Sequence, residues 1–131
     1  MNVFEWSAAE LAQKIKAGEL SAPEAVETVI AAIDSKDGTY NCYTSLNKEA
    51  ALQQAETVQS RIDAGEALSP LAGVPIGIKD NICTKGQLTT CASKILTGFK
   101  PPYNATVIEK LHGAGTVSYT HLRAHETDQY L

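Results

Sequence analysis

Leu71-Ala-Gly-Val-Pro-Ile-Gly-Ile-Lys79 is the stretch on which the reading of this chain turns. In an extended backbone successive side chains point to opposite faces. Val74, Ile76 and Ile78 then share one face, while Gly73, Pro75, Gly77 and Lys79 share the other. Bulky apolar residues opposed to very small ones predict a strand that packs on one side and admits close approach to its backbone on the other. Pro75 has no N–H to give a ladder, which makes the early part an edge or an irregular entry. Lys79 closes the run on the glycine face, just before Asp80 and Asn81. A lysine serves as a general base only when neutral, which requires desolvation or a nearby cation. The uncharged approach from Leu68 to Ile78 could supply the desolvation. The plainer alternative is a lysine that snorkels from a strand end into water.

Working outward, the residues before this run read as helices. Ser7-Ala-Ala-Glu10 and Ser21-Ala-Pro-Glu24 are capping boxes, and Pro23 sits in a first helical turn, where its missing N–H does no harm. Leu11 and Ile15 share a face before Gly18. Val26, Val29, Ile30 and Ile33 recur at helical spacing, with Asp37-Gly38 as the expected end. A third helix is expected from Asn47 to Arg61 or just beyond, with Ala51, Ala55, Val58 and Ile62 on its apolar face. After the central run, Asn104 to His112 predicts a short capped helix broken by Gly113 and Gly115, with a strand as its natural sequel. Residues 1–64 hold two of the nine glycines and one of the five prolines, whereas residues 65–115 hold the rest, so a helical half precedes a turn-rich one.

The whole-chain numbers exclude some classes. Of 131 residues, 44% are hydrophobic and 20% charged, which is too apolar for intrinsic disorder. The formal charge is −4 and Arg61 and Arg123 are the two arginines, so a phosphate-tracking surface is not expected. No apolar stretch approaches the ~20 residues that span a bilayer, and the first residues lack the pattern of a signal peptide. Cys42, Cys83 and Cys91 form no Cys-x-x-Cys pair and read as reduced thiols of a cytosolic protein, the latter two as small packing residues. Three motifs are decoys. Ser45-Leu-Asn-Lys48 lacks the partner motifs of acyl-serine hydrolases, and Asn47 reads better as a helix cap. Gly73 and Gly77 are followed by no Gly-Lys-Ser/Thr, so they make no phosphate loop. His121 and His125 would share a helical face beside Glu126, but this is an incomplete set for zinc.

The run from Leu71 to Ile82, ending Gly-Ile-Lys-Asp-Asn-Ile, resembles the first conserved block of the amidase-signature family. Thr84–Leu96 and Phe99–Val107 are similar to the glutamine-hydrolysing subunits of tRNA-dependent amidotransferases within it. The resemblance covers roughly residues 3–115, and its motif is specific. It implies an α/β protein: an α/β/α fold with a mixed central sheet, of which this stretch supplies mostly helices and one or two strands. It implies a Ser–cis-Ser–Lys triad in which Lys79 is the catalytic base. The family's two serines lie in a Gly/Ser-rich segment, and none of the eight serines here sits in one. The chain alone is therefore expected to be inactive.

The resemblance also implies glutamine as substrate and a heterotrimer with the amidotransferase B and C subunits. Glu-tRNA(Gln) would be held mainly through the B subunit, and the setting would be cytoplasmic without a membrane. No cofactor is expected on this chain, the complex using ATP and magnesium. A stand-alone amidase and a non-enzymatic helical interaction module are the alternatives. Residues 1–115 are expected to form the N-terminal portion of a larger amidase domain, with 1–64 helical and 65–115 starting the sheet and carrying the Lys79 block. Residues 116–131 form an atypical tail that resembles a translated sequencing-adaptor read-through, and it is not expected to be native to the family.

Overall fold

The computed structural model describes residues 2–118 and 120–122. Both capping boxes form. Ser7 Oγ accepts the Glu10 N–H and the Glu10 carboxylate accepts the Ser7 N–H at 2.8 Å, opening α1 (Ala8–Lys16). Ser21 and Glu24 repeat this at the start of α2 (Ala22–Tyr40). Asn47 caps α3 (Lys48–Asp63) by accepting the Ala50 N–H at 3.1 Å. The apolar spacings then act as expected: Leu11 and Ile15 of α1, Val26 and Ile33 of α2, and Ala51, Ala55 and Val58 of α3 are buried. Ala22 and Ala25 of α2 lie in one core with Ala51 and Ala55 of α3. Side chains this small let two helices approach closely. Gln59 Oε1 accepts the Ala22 N–H at 2.8 Å, so α3 satisfies one of the donors that the start of α2 leaves open.

Two helix ends differ from expectation. α2 runs past Gly38 to Tyr40, and Asn41 closes it in the left-handed region at φ +52°. The cause is Asp37, whose carboxylate accepts the N–H groups of Cys42 at 2.6 Å and Tyr43 at 3.3 Å from within the last turns of the helix. A side chain thus does at Asn41 what a glycine was expected to do earlier. Burial, and then the nearby charges of Asp37 and Cys42, push the Tyr43 phenol above its usual range. The second difference is α4 (Thr106–Gly113), whose cap is Ala105 rather than Asn104. Asn104 instead accepts the Lys85 N–H at 2.7 Å and donates to Glu109 at 3.0 Å, tying a distant loop to the helix.

The sheet is small and mixed. β1 (Tyr43–Leu46), β2 (Ile78–Lys79) and β3 (Thr120–Leu122) lie in the order β1-β3-β2. β3 is antiparallel to β1, with an irregularity between Tyr43 and Ser45, and parallel to β2, with Ile78 opposite His121 and Lys79 opposite Leu122. The parallel pair is joined through α4, as a parallel connection requires. Among the described residues there are three strands where one or two were expected: β1 falls in the part read as helical and β3 in the tail. Tyr119 and residues 123–131 lie outside the described residues.

Upstream of β2, Pro75 bridges Val117 in parallel register. Val117 donates to Val74 O at 2.9 Å and accepts from Ile76 at 2.8 Å, so the bonds use the residues on either side of Pro75. The proline's missing N–H faces away from this ladder, as an edge position allows. Gly73 makes the turn into the run at φ +82°, against Ala22 and Ile15. The core gathers where this run meets the helices, from Val3, Leu11, Ile15 and Val26 to Val74 and Val117.

Candidate functional site

The expected alternation holds on the apolar face: Val74 and Ile78 are buried and Ile76 packs against the core. On the opposite face the close approach comes from Leu122, whose Cδ1 would stand 2.8 Å from a Cβ on Gly77. Lys79 is half-buried at the end of β2, where the strand gives way to a turn closed by the Ile82 N–H to Lys79 O bond of 3.0 Å. Its backbone is held in the ladder opposite Leu122, and the next N–H, that of Asp80, donates to Leu122 O at 2.9 Å. Lys79 is therefore presented from a strand end with the peptide unit that follows it fixed at both its C=O and its N–H.

Asp80 is 3% exposed, and sequence reasoning did not single it out for a role. Its carboxylate accepts the Thr90 N–H at 3.0 Å and the Thr90 hydroxyl, while its main-chain O accepts the Cys91 N–H at 2.9 Å. Cys91 and Ala92 both have left-handed φ, +51° and +55°. Cys91 is exposed and Cys83 half-buried, so neither is the buried packing residue expected of them, and all three cysteines are free thiols. No local signal marks Asp80: the donors that make its burial tolerable come from Thr90, ten residues further along.

The decoys resolve into local roles. Ser45 lies in β1, Asn47 caps α3, and Lys48 pairs with Asp34 at 2.7 Å. His121 is fully buried, with Nδ1 bonded to Leu88 O and Nε2 at 3.3 Å from Thr84 Oγ1; His125 and Glu126 lie outside the described residues. Among the described residues no group of three His, Cys, Asp or Glu side chains could hold a metal ion. Among them also, no helix is long and apolar enough to cross a membrane.

Other serines are engaged close to home. Ser7, Ser21 and Ser93 accept N–H groups at the starts of helical turns, Ser35 and Ser60 donate to carbonyls of their own helices, and Ser118 meets His112 at 2.9 Å. A cleft of about 370 Å³ lies between α1, α2 and the sheet, lined by apolar residues such as Val3, Trp6, Leu11, Val26 and Ile76. Another, of about 450 Å³, runs from Asn47 and Lys48 to Leu88 and Lys100. Lys79 lines neither.

A family model described as Amidase matches residues 24–130. The A subunit of glutamyl-tRNA(Gln) amidotransferase from Lachnospira eligens is 51% identical over 117 residues, which is 89% of this chain and 24% of that protein. The protein of the same name from Lachnoclostridium phytofermentans is 54% identical over 118 residues, again 89% of this chain and 24% of that one. Among solved structures, the native peptide amidase of Stenotrophomonas maltophilia superposes with a TM-score of 0.84 at 29% identity, covering 90% of this chain and 24% of that one. The chain thus spans about a quarter of the length of the curated relatives it matches.

Proposed function

The chain belongs to the amidase family, and on that premise we propose that it is a portion of the glutamine-hydrolysing subunit of a tRNA-dependent amidotransferase, with Lys79 as the catalytic base. The observation that carries this reading is the placement of Lys79, half-buried at a strand end with the following peptide unit fixed. It is supported by the identity, about one half, to two proteins named as the A subunit of that enzyme.

In this reading the neutral amine of Lys79 takes a proton from a middle serine, which takes one in turn from the nucleophilic serine. The serine oxygen bonds to the carboxamide carbon, the C–N bond breaks, and ammonia leaves with a proton returned along the relay. Water then cleaves the acyl-serine to give the acid. The family places both serines in a Gly/Ser-rich segment, and none of the eight serines here sits in one, so in this reading the chain by itself is expected to release no ammonia from glutamine. The ammonia passes to the B subunit, which amidates Glu-tRNA(Gln) using ATP and magnesium, and the C subunit joins the two in the cytoplasm. The net charge of −4 suits a subunit that leaves tRNA contact to its partner.

A stand-alone amidase is the second reading, favoured by the superposition on a peptide amidase. The two separate in a chimera in which residues 1–115 replace the matching part of the Lachnoclostridium phytofermentans protein. Co-purification with the B and C subunits, and ammonia release from glutamine in preference to small aliphatic amides, is the expected result. Hydrolysis of small amides with no partner bound would favour the stand-alone enzyme instead.

A further inference from the structure

We propose that Asp80 is a positioning residue for Lys79: it clamps the left-handed turn Thr90–Ser93 to the end of β2 and so fixes the direction in which Lys79 is presented. The proposal rests on the reading of Lys79 as the base. A carboxylate that is 3% exposed is stable only with several donors around it. Asp80 finds them on a single residue, Oδ1 accepting the Thr90 N–H at 3.0 Å and Oδ2 the Thr90 hydroxyl. Its main-chain O takes the next N–H, that of Cys91, at 2.9 Å. Thr90 passes the restraint on, its hydroxyl oxygen accepting the Ala92 N–H at 3.2 Å and its carbonyl the Ser93 N–H at 2.8 Å.

The turn so held is an unfavourable one. Cys91 and Ala92 are successive left-handed residues that carry a Cβ, in a position where turns of this hand favour Asn-Gly. Such a conformation persists where its surroundings over-determine it. The same residue reaches the sheet, because the Asp80 N–H donates to Leu122 O at 2.9 Å while Ile82 donates to Lys79 O at 3.0 Å. The peptide unit between Lys79 and Asp80 is therefore gripped at both edges, and Asp80 beyond it is gripped by the turn. Any rotation of Lys79 about its Cα–C bond has to move that unit. His121 Nδ1, at 3.8 Å from Asp80 Oδ1, completes the surroundings.

The experiment uses the full 131-residue chain and does not depend on amide hydrolysis. Amide hydrogen exchange at Thr90 and Cys91 reads the turn. Trace acetylation by acetic anhydride across pH, quantified by mass spectrometry, reads Lys79 against the exposed Lys36 of α2. In Asp80→Ala and Thr90→Val, exchange at the turn rises roughly 10- to 100-fold. The acetylation profile of Lys79 departs from wild type while that of Lys36 does not. Asp80→Asn, which keeps an acceptor for the Thr90 N–H, restores most of both. A loosened turn with an unchanged Lys79 profile would make Asp80 structural only and overturn the proposal, as would an unchanged turn. If Asp80→Ala fails to fold, Thr90→Val decides, since it keeps the buried carboxylate and one of its bonds. Failure of the base assignment shows elsewhere, as amide hydrolysis that survives Lys79→Ala in the chimera.

Discussion

Gly73 lies against Ala22 so closely that a Cβ built on it would stand 3.0 Å from the Ala22 Cβ, with two Ile15 side-chain carbons at 3.3 Å. This contact joins the run that ends at Lys79 to the start of α2, and it occurs at a left-handed residue with φ +82°. Gly73→Ala is therefore expected to be doubly unfavourable, through the backbone and through overpacking against the buried Ala22 and Ile15 side chains, by about 2–4 kcal/mol. Gly77→Ala meets the Leu122 side chain, with its terminal Cδ1 nearest, and is expected to cost about 1 kcal/mol or less. Urea unfolding midpoints at constant slope measure both. An equal loss in the two variants would contradict the packing described.

The two capping boxes give the chain an acid-sensitive component. Glu10 and Glu24 are held below the usual carboxylate range, first by the backbone N–H and then by the hydroxyl of Ser7 and Ser21. The unfolded chain binds those protons more readily, so this stabilisation is complete above the unfolded value near 4.5 and is lost as pH falls through the lowered folded value. The double variant Glu10→Gln, Glu24→Gln should lose less melting temperature than wild type between about pH 6 and about pH 3. Parallel melting curves for the two proteins would show that the boxes do not titrate as described.

Ala55 and Ile95 contrast sharply in burial. Ala55 is 0% exposed within the core shared by α2 and α3, so Ala55→Leu forces the helices apart and should cost about 1–3 kcal/mol. Ile95 is 93% exposed, and Ile95→Lys should change stability by no more than about 0.5 kcal/mol. Thermal melts of both variants check this contrast.

Contiguous signals are the ones legible in the amino-acid sequence. The Ser7 and Ser21 boxes, the Asn47 cap and the alternation from Val74 to Ile78 each need only neighbours within four residues, and each formed. Features made by distant partners were not legible. β1 is four residues without clean alternation, and its ladder partner lies more than seventy residues further along. α2 overran Gly38 because the Asp37 side chain captures the N–H groups of Cys42 and Tyr43. Asn104 was drawn from the expected cap to the loop at Lys85. At the site, Lys79 stood out because its motif is contiguous, whereas Asp80 acquires its role from Thr90 and Cys91, which local spacing does not bring to it.

The most direct test is ammonia release from glutamine by the chimera carrying residues 1–115, with Lys79 intact and with Lys79→Ala. If Lys79 is the base, the substitution lowers kcat by a factor of roughly 10²–10⁴ while the protein remains folded and bound to its partners. Undiminished ammonia release from a folded Lys79→Ala chimera would contradict it.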